Sequence, residues 1–116
     1  MKIRIKDNTV RLRLSQSEVN QLKSENKVKA SIQFPGKKLT YALQKSQQSN
    51  LTVEYKGDEI LILAPSAVVE NWVNTELVGF DSAIHLEEGS LEVLVEKDFK
   101  CSLDRGEDES DLFDPI

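Results

Sequence analysis

From Lys2 to Leu14 polar and apolar residues alternate, with a single interruption at Asp7-Asn8. Lys2-Ile3-Arg4-Ile5-Lys6 and Thr9-Val10-Arg11-Leu12-Arg13-Leu14 both follow the period of two that a pleated strand imposes. Asp7-Asn8 suits the positive φ of a tight turn, so the two runs read as a hairpin. That turn puts Lys2 across from Arg13 and Arg4 across from Arg11. Ile3, Ile5, Val10 and Leu12 then share the opposite face. A chain that begins this way must find cover for one side of a sheet.

Ser15 and Glu18 have the spacing of a capping box, and a short helix follows to about Lys23–Glu25 with Val19 and Leu22 as its apolar anchors. Val28, Ala30, Ile32 and Phe34 alternate next; Pro35-Gly36 turns the chain, and Leu39, Tyr41 and Leu43 alternate back. Gln44–Asn50 reads as a connector. Leu51, Val53 and Tyr55 then lead through Gly57-Asp58 to a strand over Glu59–Ala64. Its Ile60-Leu61-Ile62-Leu63 run is apolar on both faces, which predicts a central strand covered on both sides. Pro65-Ser66 opens a second helix with Val69, Trp72 and Val73 in its stripe. Strands near Ala83–Glu87 and Leu91–Glu96 complete the series, joined at Glu88-Gly89.

The expected fold class is therefore α+β, in an approximate ββαββ–ββαββ order with two short helices. Eight short strands predict a mostly antiparallel, strongly curved sheet or a small barrel with the helices at its ends. Residues 1–103 read as one domain, with 1–49 and 50–98 as pseudo-repeats. Residues 104–116 read as an acidic tail, either free or pinned onto the domain by Leu112 and Phe113.

Charge divides along the same line. Residues 1–49 hold 11 Lys/Arg against three acids, a balance of +8; residues 50–116 hold four against 17, a balance of −13. Five cations (Lys2, Arg4, Lys6, Arg11, Arg13) fall on one face of the first hairpin. Like charges directly opposite cost about 0.2–1 kcal/mol per pair, so this face calls for an anion. The counter-charge is internal if supplied by Glu92 and Glu96 on the last strand, or by Glu107, Asp108, Glu109 and Asp111 in the tail. It is external if a phosphate-bearing ligand or other polyanion sits there.

The last stretch, Glu96-Lys97-Asp98-Phe99-Lys100-Cys101, then Arg105, then Glu107-Asp108-Glu109-Ser110-Asp111-Leu112-Phe113, resembles the C-terminal signature of a family of small uncharacterised bacterial proteins. The basic hairpin followed by Leu14-Ser15-Gln16-Ser17-Glu18-Val19 is similar to the start of the same family. The resemblance covers essentially the whole chain and implies one bacterial cytoplasmic domain. The Asp114-Pro115-Ile116 end departs from the Pro-Asn-Pro-like finish of its members. Lys, Arg and Glu together on antiparallel strands also resemble the triphosphate tunnel enzymes, but their first strand alternates glutamates and this one carries none.

Other chemistry finds little purchase. His85 and Cys101 each stand alone, without the close ligand pairing of a zinc site, and Asp104–Asp111 lacks the alternating acids of a calcium loop. No cofactor or metal is expected. Cys101 has no base beside it in sequence, and a single cysteine suits a reducing, cytoplasmic compartment. The second helix carries no Lys or Arg, so no specific nucleic-acid reading is expected of it. The run Ile60–Pro65 is too short to enter a membrane as a span. The expectation is a non-enzymatic binding or interaction module with an unknown protein partner or self-association. Its alternative is a phosphate-, polyphosphate- or nucleotide-binding protein, or a phosphohydrolase, using the same cationic hairpin.

Overall fold

A computed structural model describes residues 1–101, 106 and 108–115. In chain order the elements are β1 (Lys2–Lys6), β2 (Thr9–Leu14), α1 (Gln16–Glu25), β3 (Lys27–Phe34), β4 (Lys37–Ser46), β5 (Thr52–Lys56), β6 (Glu59–Pro65), α2 (Ser66–Asn74), β7 (Gly79–His85) and β8 (Ser90–Lys97). The fold is α+β, but no barrel closes. The strands form two mixed four-stranded sheets, ordered β1-β2-β8-β7 and β3-β4-β6-β5.

The reason lies in the connections. Each hairpin pairs antiparallel within itself, and hairpins meet through a parallel seam, β2 with β8 and β4 with β6. Each helix carries the chain from one sheet to the other, α1 between β2 and β3, α2 between β6 and β7. Parallel neighbours cannot be joined by a tight hairpin: β5 intervenes between β4 and β6, and the whole second sheet with both helices and β7 intervenes between β2 and β8. This order leaves β1 and β7 as edges of one sheet, β3 and β5 as edges of the other.

One apolar cluster joins both sheets to both helices. Leu12, Leu14, Val93 and Val95 come from the first sheet, Val28, Leu43 and Ile62 from the second, and Val19, Leu22, Val69 and Trp72 from the helices. Trp72 is fully buried, donates from Nε1 to the Val78 carbonyl at 3.0 Å, and meets the Phe80 ring edge-on at 5.4 Å. Burial of such an indole requires a partner for its N–H, and the loop after α2 provides it.

Three sequence expectations shift. β6 is an inner strand, yet only Ile62 and Ala64 are buried; Leu61 and Leu63 on the other face are half-exposed. Its sheet is covered on one side alone. β7 begins at Gly79 rather than near Ala83, because Phe80, Ser82 and Ile84 are the residues that alternate inward. β4 continues to Ser46, into the expected connector, where the Lys45 amide donates to the Asn26 carbonyl at 2.9 Å.

Candidate functional site

The first hairpin has the register that its turn dictates. Lys2 lies opposite Arg13 and Arg4 opposite Arg11, with Asp7 at φ 49° in the two-residue loop. The parallel seam then sets β8 beside β2, with Arg13 next to Glu96, Arg11 next to Leu94 and Thr9 next to Glu92. All five candidate cations therefore share the outer face of the first sheet with Glu92 and Glu96, while Ile3, Val10 and Leu12 turn to the core.

Their surroundings differ. Glu96 serves two guanidinium groups, 3.3 Å from Arg11 Nε and 3.8 Å from Arg13 Nε. Lys2 reaches the buried Asp98 at 3.0 Å. Among the described residues, Arg4 and Lys6 form no ion pair. With Asp7, Thr9 and Arg11 they line an open depression of about 330 Å³ on the sheet's outer face. Arg4, Lys6, Arg11 and the Thr9 hydroxyl thus border this space together with the Asp7 carboxylate, and no described carboxylate forms an ion pair with Arg4 or Lys6. Such an arrangement suits an oxyanion, which accepts from guanidinium, ammonium and hydroxyl donors together.

The tail is docked elsewhere. Leu112 is buried, and Phe113 bridges to Phe99 beside the end of β8. The Phe113 amide donates to the Asp98 carbonyl at 2.9 Å, and the Lys100 amide donates to the Phe113 carbonyl at 2.8 Å. Asp111 sits at the start of α1: its carbonyl accepts from the Gln16 amide, and its carboxylate accepts from the Ser17 amide and hydroxyl. The Ser17 and Ser15 hydroxyls and the Ser17 amide hold the Asp111 carboxyl below its ordinary value. A helix start presents free amides and a positive dipole end, so an acid is stabilised there.

Of the other tail acids, Asp108 accepts from the Ser110 amide and Glu109 from the Cys101 amide. Glu107 lies outside the described residues. The described part of the tail borders the cationic face where Asp108 and Asp111 share a depression of about 350 Å³ with Lys2 and Arg13. None of the described tail acids lines the depression at Arg4 and Lys6.

The capping box of α1 is present. Burial alone would raise the Glu18 carboxyl, but hydrogen bonds from the N-terminal ammonium and from the Ser15 amide and hydroxyl hold it below the usual carboxylate range. Cys101 is exposed, and among the described residues no three His, Cys, Asp or Glu side chains converge on a metal position. No helix of the described residues is long and apolar enough to cross a membrane.

Two parts of the site escaped the sequence reading. Thr9 lies on the cationic face by strand parity, and Asp98 extends the even-numbered face of β8 that Glu92 and Glu96 begin. Parity was the available signal for both. A third feature, buried Lys97, donates to the Thr75 carbonyl at 2.6 Å and lies 5.5 Å from the centre of the Phe113 ring. Desolvation pushes its ammonium below its ordinary pKa.

No curated protein and no solved structure matches the chain. A family model described as a family of unknown function (DUF7009) matches residues 1–115. With that match running from the cationic hairpin through the docked tail, the chain belongs to this family of unknown function.

Proposed function

We propose that the protein is a non-enzymatic binding module of the bacterial cytoplasm, whose contact surface is the cationic outer face of β1 and β2. The observation that carries this reading is the pair Arg4 and Lys6, which flank one depression with Arg11 and Thr9 and form no ion pair among the described residues. Its partner is anionic: a protein segment rich in Asp and Glu. The docked tail supports this division of labour: Asp108 and Asp111 line one depression with Lys2 and Arg13, and no described tail residue lines the one at Arg4 and Lys6. The exposed single cysteine suits a reducing compartment.

A second reading uses the same residues for a small phosphate-bearing ligand. Convergence of two arginines, a lysine and a hydroxyl on one depression favours it. Calorimetric titration separates the two readings. Acidic peptides, inorganic triphosphate and nucleotides are each added to the full chain and to an Arg4→Ser/Lys6→Ser variant, at low and high salt. Salt-sensitive binding of the peptide alone, lost in the variant, supports the interaction module. Binding of one phosphate class alone supports the second reading. Equal behaviour of the variant and the parent chain towards every anion removes both.

A further inference from the structure

We propose that the acidic partner binds as an added strand: an extended segment, acidic at alternate positions and apolar between them, pairs antiparallel with the free edge of β1. The proposal rests on the reading of the β1–β2 face as a contact surface for an acidic protein segment, and adds how that segment is held.

The hydrogen bonds of β2 determine which backbone groups of β1 are open. β2 lies between β8 and β1. Just before β2 and at its end, the Asn8 and Leu14 carbonyls turn towards β8, accepting from the Glu92 and Asp98 amides at 3.0 and 2.8 Å. Backbone groups alternate sides along a strand, so Thr9, Arg11 and Arg13 turn the other way, towards β1. There they meet Lys6, Arg4 and Lys2. The amides and carbonyls of Ile3 and Ile5 therefore point outward, and β1 is the edge of its sheet. Such an edge is a template for another strand. Its start is already fixed: the Met1 ammonium donates to Glu18, and the Met1 carbonyl accepts from the Tyr41 hydroxyl at 2.7 Å. Pairing with a preorganised edge costs less ordering than pairing with a mobile one.

Side chains select the occupant. Arg4 and Lys6 point to the outer face, line the depression of about 330 Å³ and form no ion pair among the described residues. Between them Ile5 points to the inner face, 60% exposed, beside half-buried Val10. A strand added to β1 covers both faces at once. Its residues opposite Arg4 and Lys6 project to the outer face from non-hydrogen-bonded positions, where facing side chains come closest, and acids match them there. Its residue opposite Ile5 exchanges both hydrogen bonds with it and lies over the inner face, where an apolar side chain extends the cover of Ile5. A second β1 in that place would set cations against cations, so the edge rejects its own copy. The other edges lack this combination. β7 holds no Lys or Arg, and on β5 Lys56 is paired with Glu54 at 3.0 Å. On β3, Lys27 and Lys29 stand at the end away from exposed Ile32 and Phe34.

Nuclear magnetic resonance of the full chain at low salt tests the proposal with a short peptide of alternating Glu and Val. The peptide is used unmodified, N-methylated at its valines, and N-methylated at its glutamates. In the proposed pairing the valine amides face β1 and the glutamate amides face solvent. Methylated valines should therefore weaken binding at least about tenfold, whereas methylated glutamates leave it within about threefold. At saturating peptide the Ile3 and Ile5 amide protons should exchange with solvent at least about tenfold more slowly than in the free chain. Binding should also disappear in the Arg4→Ser/Lys6→Ser variant. Equal binding of all three peptides with Ile3 and Ile5 unprotected, or loss on methylating the glutamates instead, overturns the added strand and leaves the acidic-partner reading standing. Failure of every peptide to bind overturns both.

Discussion

Replacing Leu112 with alanine tests whether the C-terminal segment is part of the folded unit. The side chain is 7% exposed but lies outside the main apolar cluster, while its neighbour Phe113 packs against that cluster. Burying a leucine contributes about 1.5–3 kcal/mol, and the cavity left by truncation raises core losses to about 2–5 kcal/mol. A surface segment can settle into part of that space, so the lower end applies and we expect a loss of about 2 kcal/mol. For a chain of this length that lowers Tm by about 8 °C. Adding Phe113→Ala removes the ring that faces Phe99 at 6.0 Å and lies under Lys97. The two losses cannot add without limit. Once the segment's docking energy is exhausted it detaches, and β8 and the helices keep their own core. The double variant and a chain ending at Cys101 should therefore reach the same stability. Urea unfolding provides the measurement, with limited proteolysis reporting detachment of the segment. A loss under about 0.5 kcal/mol for Leu112→Ala, the level of a neutral surface change, would refute the reasoning.

Arg4→Glu relieves the like-charge pair with Arg11, so urea unfolding should show a gain of about 0.2–1 kcal/mol while calorimetry shows anion binding lost. Gly79→Ala places a Cβ 2.3 Å from the Val95 carbonyl oxygen and 2.9 Å from Glu96 Cγ; a loss of about 2–3 kcal/mol is expected by urea unfolding. At Gly36, φ +73° with open space around it, the same substitution costs only the left-handed strain, about 1–2 kcal/mol. Glu18 has a lowered carboxyl pKa, so its contribution is complete above the ordinary value of 4.5 and is lost as pH falls through the folded value. Stability measured against pH should therefore fall less steeply on the acid side in Glu18→Gln, and an unchanged slope would contradict that assignment.

Local features of this chain were legible because local rules settle them. Asp7-Asn8 between alternating runs determines which cations face each other, and Lys2 with Arg13 and Arg4 with Arg11 do so. Ser15 and Glu18 mark the start of α1, and Val19 and Leu22 are its buried residues. The partner of β2 across the sheet was not legible. β8 lies about eighty residues away, and no turn or spacing encodes a parallel seam. Without that seam, eight strands read as one curved sheet or barrel instead of two sheets exchanged by helices. The start of β7 was hidden for a similar reason: Ser82 interrupts the apolar alternation between Phe80 and Ile84, and only the inward face reveals the period. In the tail, Leu112 and Phe113 were visible as anchors, but the role of Asp111 depends on where α1 begins, and that contact spans 94 positions in the chain.

The separation of charge along the chain becomes a division across each sheet. In the first sheet the basic hairpin β1–β2 meets the acidic hairpin β7–β8 at the parallel seam, so β2 borders the acids and β1 does not. Arg13 and Arg11 on β2 share Glu96 on the neighbouring strand. Lys2 finds Asp98 where the chain leaves β8. The row of Arg4 offers only Arg11, Leu94 and then Asp81, three strands away; the row of Lys6 offers Thr9 and then Glu92, two strands away. At about 4.8 Å per strand those acids stand roughly 14 and 10 Å off. Exposed charges at that range are largely screened at physiological ionic strength, where the Debye length is about 8 Å. Among the described residues, Arg4 and Lys6 are therefore left without an ion pair by strand order, not by a shortage of acids. In a chain with a net charge of −5, Asp7 of the turn is then the one carboxylate among the described residues that lines the depression beside Arg4 and Lys6.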